Sequence, residues 1–408
     1  MISDKMQLLL HCCRCALDKN DYSLINYISE TQIDWPVFIN LTGQQRMFPL
    51  VHFAFKNCAD VVPIPVQQEI AGHATKNLKR MMNLAGELGE LHQLFSSNNI
   101  GFISLKGPLM VLQLYRDYAW RQTRDIDLLV EETTIDQAIS ALTGAGYVLM
   151  DEYFCQHPEK RTLYMKRENH VRFRHPFKTI LIELHWAVSK YFTSISTEEL
   201  FRKKISFSVN DKIYNTLSIN DYFIVLATHG IYHRYELLFW LYDIAHILSL
   251  QGINPDELLA NAKKYKCITS VKVSMELAYS LFNIPCNENS RQLPKLTNKE
   301  QFIYNQCIDT ILGTKSHNPA ENTHSFFNTL SQRFLHQKFL MLMTDDWQSK
   351  KRVLLNSLIK PYVWKKDSNL PKSNFMYLFL TQLKWIQLVI SDKLTKAGKI
   401  RRVKRMQE

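Results

Sequence analysis

Two aspartates one residue apart head an apolar run, Arg121-Gln-Thr-Arg-Asp125-Ile-Asp127-Leu-Leu-Val130, and this run limits the fold more than any other feature of the chain. Residues 126–130 are short, apolar and bounded by polar neighbours, which reads as a strand buried on at least one face. Side chains alternate along a strand, so Asp125 and Asp127 share a face. A buried pair of like charges raises one pKa unless a cation offsets the repulsion. A divalent metal is the natural cation, because hard Mg²⁺ takes oxygen ligands, commonly one or two carboxylates together with substrate phosphates. The competing reading is an exposed strand end that makes surface ion pairs, and an isolated D-x-D favours that reading.

The surroundings reverse the preference. Upstream, Ile100-Gly-Phe-Ile-Ser-Leu105 reads as a strand, Lys106-Gly107-Pro108 breaks it, and residues 109–115 read as a short helix. A glycine at such a break lets backbone approach a phosphate, and the helix N-terminus that follows favours an anion. Downstream, residues 171–174 and 179–186 alternate like strands about a turn at Pro176-Phe-Lys178. Glu183 and His185 then share a face, and Glu183 completes a three-carboxylate metal site if its strand lies beside the D-x-D strand. Arg121 and Arg124 flank the aspartates, where they could contact a triphosphate. Arg172 and Arg174 either extend a phosphate site or coat a solvated surface.

Helices enclose this core. Apolar residues recur at helical spacing from Met6 to Ala16, from Met47 to Phe55 and from Val66 to Phe95, with Pro63 and Pro65 at the start of the last and Ser96 to Asn99 at its end. Thr133 or Thr134 caps a helix ending at Gly144 or Gly146, and residues 147–150 are extended. From Ser218 helices return through His229 and His233, over 236–248 and over 255–283. The stretch 284–325, with Pro285, Pro294 and Pro319, reads as loop-rich, and the last helices fill 326–360 and 375–395. The expected class is α+β: a small mixed-sheet core at 100–190 between an N-terminal helical region, 1–99, and a C-terminal helical region with a basic tail, 191–408. With 46% hydrophobic residues the chain can bury a large core.

Other residues have plainer readings. His229 and His233, at i and i+4, share a helix face; a structural role between helices is favoured over zinc binding or contact with substrate. Asp243 reads as a helix-packing ion pair before an acceptor-orienting base. His11, Cys12, Cys13 and Cys15 read as a helix with partly buried thiols, since no second pair follows at zinc-ribbon distance. The scattered eight cysteines, the absence of a secretory signal and apolar runs far shorter than the ~20 residues of a membrane span point to a cytoplasmic protein with no transmembrane segment. A net charge of +12 favours polyanionic partners such as nucleoside triphosphates, nucleic acid or an anionic membrane face. The tail from Lys393 to Glu408 carries seven Lys/Arg and one acid and is either a solvated helix end or a contact for an anionic partner, RNA or membrane.

Leu105-Lys-Gly-Pro108, Leu114-Tyr115, Arg121-x-x-Arg-Asp-Ile-Asp-Leu-Leu-Val130, Gly146-Tyr147 and Glu183-Leu-His-Trp186 together resemble the uncharacterised nucleotidyltransferase family of the DNA polymerase β-like nucleotidyltransferase superfamily. The likeness continues through His229-Gly-x-x-His233 and Trp240-Leu-x-Asp243-Ile-Ala245, and more loosely to Pro361, Asp367 and Leu370-Pro371. It implies a mixed sheet carrying a D-x-D metal pair, a third acid, and a glycine turn facing the phosphates. The wider superfamily usually has Gly-Ser or Gly-Gly in that turn; here it is Gly107-Pro108, and Pro108 removes one amide donor. The expected activity is metal-dependent transfer of a nucleotidyl group from a nucleoside triphosphate to the hydroxyl of an unknown acceptor: a small molecule, a sugar, a peptide or an RNA end. Asp125, Asp127 and Glu183 would be catalytic and hold Mg²⁺ (or Mn²⁺), while Lys106, Gly107, Arg121, Arg124 and His185 would bind the nucleotide. The alternatives are glycosyl transfer from a nucleotide-sugar at the same metal site, or an inactive nucleotide- or partner-binding protein.

Overall fold

The computed structural model describes residues 3–18, 21–151, 154, 158–189, 192–284, 294–313 and 326–358. The basic tail and the helix expected over 375–395 lie outside the described residues. The first layer is helical: α1 (Asp4–Leu17), α2 (Ser23–Glu30), α3 (Trp35–Gln44), α4 (Phe48–Lys56) and α5 (Ile64–Ser97). Prolines stand in the first turns of α3, α4 and α5, where the missing N–H costs nothing. The thiols of Cys12, Cys13 and Cys15 are buried and free, and His11 is bonded to the Ser23 hydroxyl at 2.8 Å.

A seven-stranded mixed sheet follows, built from β1 (Phe102–Ser104), β2 (Asp125–Val130), β3 (Val148–Leu149), β4 (His170–Arg174), β5 (Leu181–His185), β6 (Ile205–Val209) and β7 (Lys212–Thr216) in the order β3-β4-β5-β2-β1-β7-β6. Between the strands lie α6 (Pro108–Tyr115), α7 (Ile135–Gly144), α8 (Pro158–Arg167) and α9 (Thr197–Lys203). The helices α10 (Ile219–Tyr232), α11 (Leu238–Ser249), α12 (Pro255–Lys264), α13 (Ile268–Phe282), α14 (Asn298–Ile311), α15 (Phe326–Met343) and α16 (Trp347–Leu358) complete the described chain. One apolar core runs from Leu8 of α1 through Leu128 of β2 to Val271 of α13, so the fold is α+β with the sheet held between helical layers. No helix among the described residues is long and apolar enough to cross a membrane.

The sheet continues past residue 190. The hairpin β6–β7 alternates as Ile205-Ser-Phe-Ser-Val209 and Lys212-Ile-Tyr-Asn-Thr216 about Asn210-Asp211, and both turn residues have positive φ, 48° and 62°. That is the two-residue loop in which both central residues are left-handed, whose twist matches the flanking strands. β7 joins β1 in parallel at Ser104 and Thr216. The chain then enters α10, where the Tyr222 hydroxyl lies 2.6 Å from the Thr216 hydroxyl and donates to the Ser104 carbonyl at 3.1 Å. Those bonds fix the helix that carries His229. The stretch read as loop-rich also contains α14, started by a capping box between Thr297 and Glu300. Thr134 stands at the start of α7, but its hydroxyl donates to the Glu131 carbonyl rather than capping the helix.

Arg121 is the clearest departure from expectation. Its guanidinium is internal, 5% exposed, and its Nε donates to Asp243 at 3.0 and 2.9 Å. A second nitrogen, NH2, is 2.9 Å from Asp243 Oδ2. Tyr115 of α6 donates to the same carboxylate at 2.7 Å, and the Arg121 side chain lies 4.7 Å from the Phe239 ring centre. Burial opposes the charge on Arg121, yet Asp243 raises its pKa above the ordinary value. Arg121 therefore ties the approach to β2 onto α11 and is not available to a triphosphate; Asp243 is the helix-packing partner. Asp243→Asn should leave a buried arginine without its counter-charge and cost roughly 3–5 kcal/mol in urea unfolding. A loss below about 1 kcal/mol, the range of an exposed pair, would refute this account.

Candidate active site

β2 and β5 are adjacent and parallel, and their register sets Asp127 opposite Glu183 and Leu129 opposite His185. The third acid therefore lies beside the D-x-D strand. Asp127 is buried, whereas Asp125, at the start of the strand, is partly exposed. The Nε2 of His185 is 3.1 Å from Asp127 Oδ1 and 3.4 Å from Glu183 Oε2, so one imidazole bridges the two acids. The other ring nitrogen of His185, Nδ1, is buried with no hydrogen-bond partner. On the far side of β5, His170 of β4 stands opposite His185. Their rings are 4.8 Å apart, and His170 Nε2 is 4.0 Å from Glu183 Oε2.

β1 and α6 supply the opposite wall. The Leu105 amide donates to the Asp127 carbonyl at 3.0 Å, which brings the turn at Lys106-Gly107 against β2. Gly107 has φ 92°, and a Cβ there would sit 3.2 Å from the Asp125 carbonyl oxygen. The close approach that demands glycine is thus made to β2 itself. Lys106 Nζ is 3.3 Å from His229 Nδ1, and the rings of His229 on α10 and His233 at its C-terminal cap lie 4.8 Å apart, inclined to each other and both against Trp240.

The charges respond to this crowding. Asp125 is pushed up to about 6 by burial and by the negative charge of Asp127 and Glu183, with Lys106 and Arg121 pulling the other way. Burial would raise Asp127 too, but Lys106 and the His185 hydrogen bond hold it below the usual carboxylate range. Burial would lower His185, but its bonds to Asp127 and Glu183 raise it instead. His170 is lowered to about 4 by burial and by His185, and His233 to about 4 by burial and by Lys106. His229 falls well below the ordinary histidine value through burial, Lys106 and His233, so its neutral ring can accept from Lys106.

A cavity of about 360 Å³ opens over this face, lined among others by Lys106, His170, Glu183, His185, His229 and His233. Asp125 and Asp127 are not among its lining residues. Arg124 is exposed and lines a different cavity, of about 330 Å³, with Arg80, Asn83 and Lys178. Of the residues singled out in the sequence, Asp125, Asp127, Glu183, His185, Lys106 and Gly107 converge, Arg124 borders them, and Arg121 is withdrawn. Arg172 is paired with Asp151 at 2.8 Å.

Two contributors were missed. His170 lies in register with His185, a relation that only strand pairing reveals. Arg46, in the turn between α3 and α4, is half-buried, with burial and Arg124 lowering its pKa and Asp125 raising it. No local pattern announces that residue. Among the described residues, His170, Glu183 and His185 form a group of three metal-type side chains whose ligand atoms lie within 4.8 Å of one another.

The model of the family described as uncharacterised nucleotidyltransferase matches residues 31–283, and the chain belongs to that family. The match takes in the N-terminal helices from α3 onward, the whole sheet, and the C-terminal helices through α13. No curated protein and no solved structure matches the chain.

The raised Asp125 carboxyl sets a pH test. A carboxyl whose folded pKa, about 6, exceeds its ordinary 3.8 stabilises the fold while protonated. That stability is complete below the ordinary value and is lost as pH rises through the folded value. The metal-free protein therefore carries a repulsive charge at neutral pH that Asp125→Asn removes. The variant should melt at a higher temperature than wild type at neutral pH, and the gain should shrink as pH falls through the interval between the two values. A variant less stable than wild type at neutral pH without metal would contradict this electrostatic account.

Proposed function

We propose, from the chain's membership of the uncharacterised nucleotidyltransferase family, that it transfers a nucleotidyl group from a nucleoside triphosphate to an acceptor hydroxyl, using Mg²⁺ or Mn²⁺. The observation that carries this reading is the parallel β2–β5 register, with Glu183 directly across from Asp127. The donor set suits a hard divalent ion: three carboxylates on adjacent strands, where burial together with the charge of Asp127 and Glu183 pushes Asp125 up to about 6. Asp125, Asp127 and Glu183 would hold the ion, which when bound supplies charge stabilisation to the entering and leaving oxygens of an in-line displacement.

The chain's own groups would do the rest. Lys106 faces the cavity and offers its ammonium to the triphosphate, while the Gly107 turn holds Lys106 beside β2. The acceptor oxygen forms a bond to the α-phosphorus, and the bond from that phosphorus to the bridging oxygen of the β-phosphate breaks. Pyrophosphate leaves with the electron pair, and the hydroxyl proton passes to Glu183 on the cavity wall. His185, bonded to both Asp127 and Glu183, keeps the two acids in register. Arg124 and Arg46, both near Asp125, add positive charge on the side of the strand start.

Thermal stability with and without Mg²⁺ and each nucleoside triphosphate tests the binding half of this reading. Wild type should be stabilised by one of the pairs, and Asp125→Asn and Asp127→Asn should each lose that stabilisation while remaining folded. Glu183→Gln should keep most of the binding and lose turnover by roughly 100-fold or more, the effect of a positioned acid–base group. Stabilisation that persists in both aspartate variants, or that no nucleotide produces, would overturn the assignment. Product formed only from a nucleotide-sugar would replace nucleotidyl transfer with glycosyl transfer.

A further inference from the structure

We propose that His170, Glu183 and His185 form a binding site for a first-row transition-metal ion, Zn²⁺ ahead of Mn²⁺, with nitrogen donors that Mg²⁺ does not favour. The proposal rests on the same face as the nucleotidyl-transfer reading and shares Glu183 and His185 with it: on binding the ion, the His185 Nε2 that contacts Asp127 and Glu183 releases its proton and coordinates. The geometry comes from the sheet. Antiparallel pairing sets His170 opposite His185, and alternation along β5 puts Glu183 on the same face as His185. The three ligand atoms lie within 4.8 Å of one another. Donors around a tetrahedral ion with bonds of about 2.1 Å stand about 3.4 Å apart. The His185–Glu183 separation is 3.4 Å, and the His170–Glu183 separation is 4.0 Å. Closing onto an ion therefore asks only a small shift of His170, the most exposed of the three, with a side chain 29% exposed.

The chemistry of the set decides the metal. Two imidazoles and one carboxylate suit zinc and its neighbours, whereas magnesium prefers oxygen and retains water. Three protein ligands leave a coordination position open, as in catalytic rather than structural zinc sites. Here all three ligands line the cavity of about 360 Å³, so the open position would face the space into which an acceptor would enter.

Calorimetric titration of the full chain with Zn²⁺, Mn²⁺ and Mg²⁺, each alone and without nucleotide, tests the site. One Zn²⁺ per chain should bind, at least about 100-fold more tightly than Mg²⁺, and His170→Ala should weaken Zn²⁺ binding at least about 10-fold. Absence of Zn²⁺ binding, or Zn²⁺ binding that His170→Ala leaves unchanged, would overturn the proposal. A second readout needs no variant: nuclear magnetic resonance of wild type loaded with Co²⁺ should show strongly shifted, exchangeable N–H signals from two imidazoles, and none or one would overturn it equally. If the nucleotidyl-transfer reading fails instead, the nucleotide effects disappear while Zn²⁺ binding and its dependence on His170 remain.

Discussion

Asp127 and Glu183 face each other across the seam between β2 and β5, with Asp125 two residues away on the same strand. Three acids on one sheet face would repel in any protein, and partial burial makes the repulsion stronger because water no longer screens it. The surrounding structure supplies opposite charge from several elements. Lys106 arrives from the turn after β1, Arg121 acts at a distance from its bond to Asp243, and His185 bridges two of the acids from within β5. The compensation is uneven. Asp127 is held ionised, and Asp125 is raised by burial first and then by the unrelieved repulsion from Asp127 and Glu183. That residue of uncompensated charge, at the partly exposed end of the strand, is what favours a bound cation.

The position of those compensating groups depends on helices far away in sequence. Arg121 is anchored through Asp243 on α11, and Tyr115 of α6 donates to the same carboxylate. Asn77 of α5 donates to the Arg121 carbonyl at 3.2 Å, so the first helical layer also holds this segment. On the other wall, α10 places His229 against Lys106 because β7 pairs with β1 and Tyr222 locks the helix start to that seam. Helical layers from both ends of the chain thus orient the groups around a site whose acids all come from the sheet. A family match that extends well beyond the strands into both helical regions agrees with that dependence.

Much of this was legible in the residues. Alternation in Asp125-Ile-Asp127 and in Glu183-Leu-His185 gave the shared faces, and the break at Lys106-Gly107-Pro108 gave the strand-turn-helix. What alternation cannot give is which strands are neighbours. The parallel β2–β5 pairing and the His170–His185 pairing are long-range facts, so alternation alone makes Glu183 a conditional ligand and says nothing of His170. Arg121 misled for a related reason: an arginine beside an acidic motif looks like a phosphate contact until its partner, over a hundred residues later, is placed. The β6–β7 hairpin, by contrast, has a local signal, since alternating strands about Asn210-Asp211 carry their own turn chemistry. Arg46 had no local signal at all, because its contribution depends on how α3 and α4 pack toward β2.

The Gly107-Pro108 turn bears on how the proposed site would hold a phosphate. Glycine at 107 is required by contact with the Asp125 carbonyl, so its presence says that the turn must approach β2 and does not alone establish a phosphate cradle. Pro108 occupies the first helical position of α6, where its fixed φ favours helix initiation, but it contributes no amide to a ligand. An amide at that position would have been a fixed, uncharged donor. Lys106, one residue on the other side of the glycine, provides instead a full charge on a flexible stem that already reaches the cavity and His229. A flexible ammonium acts as a point charge and imposes less geometry on a phosphate than a row of backbone amides does. Under the proposed function, the precision of the site would therefore fall to the carboxylates, whose positions are set by the register of β2 against β5.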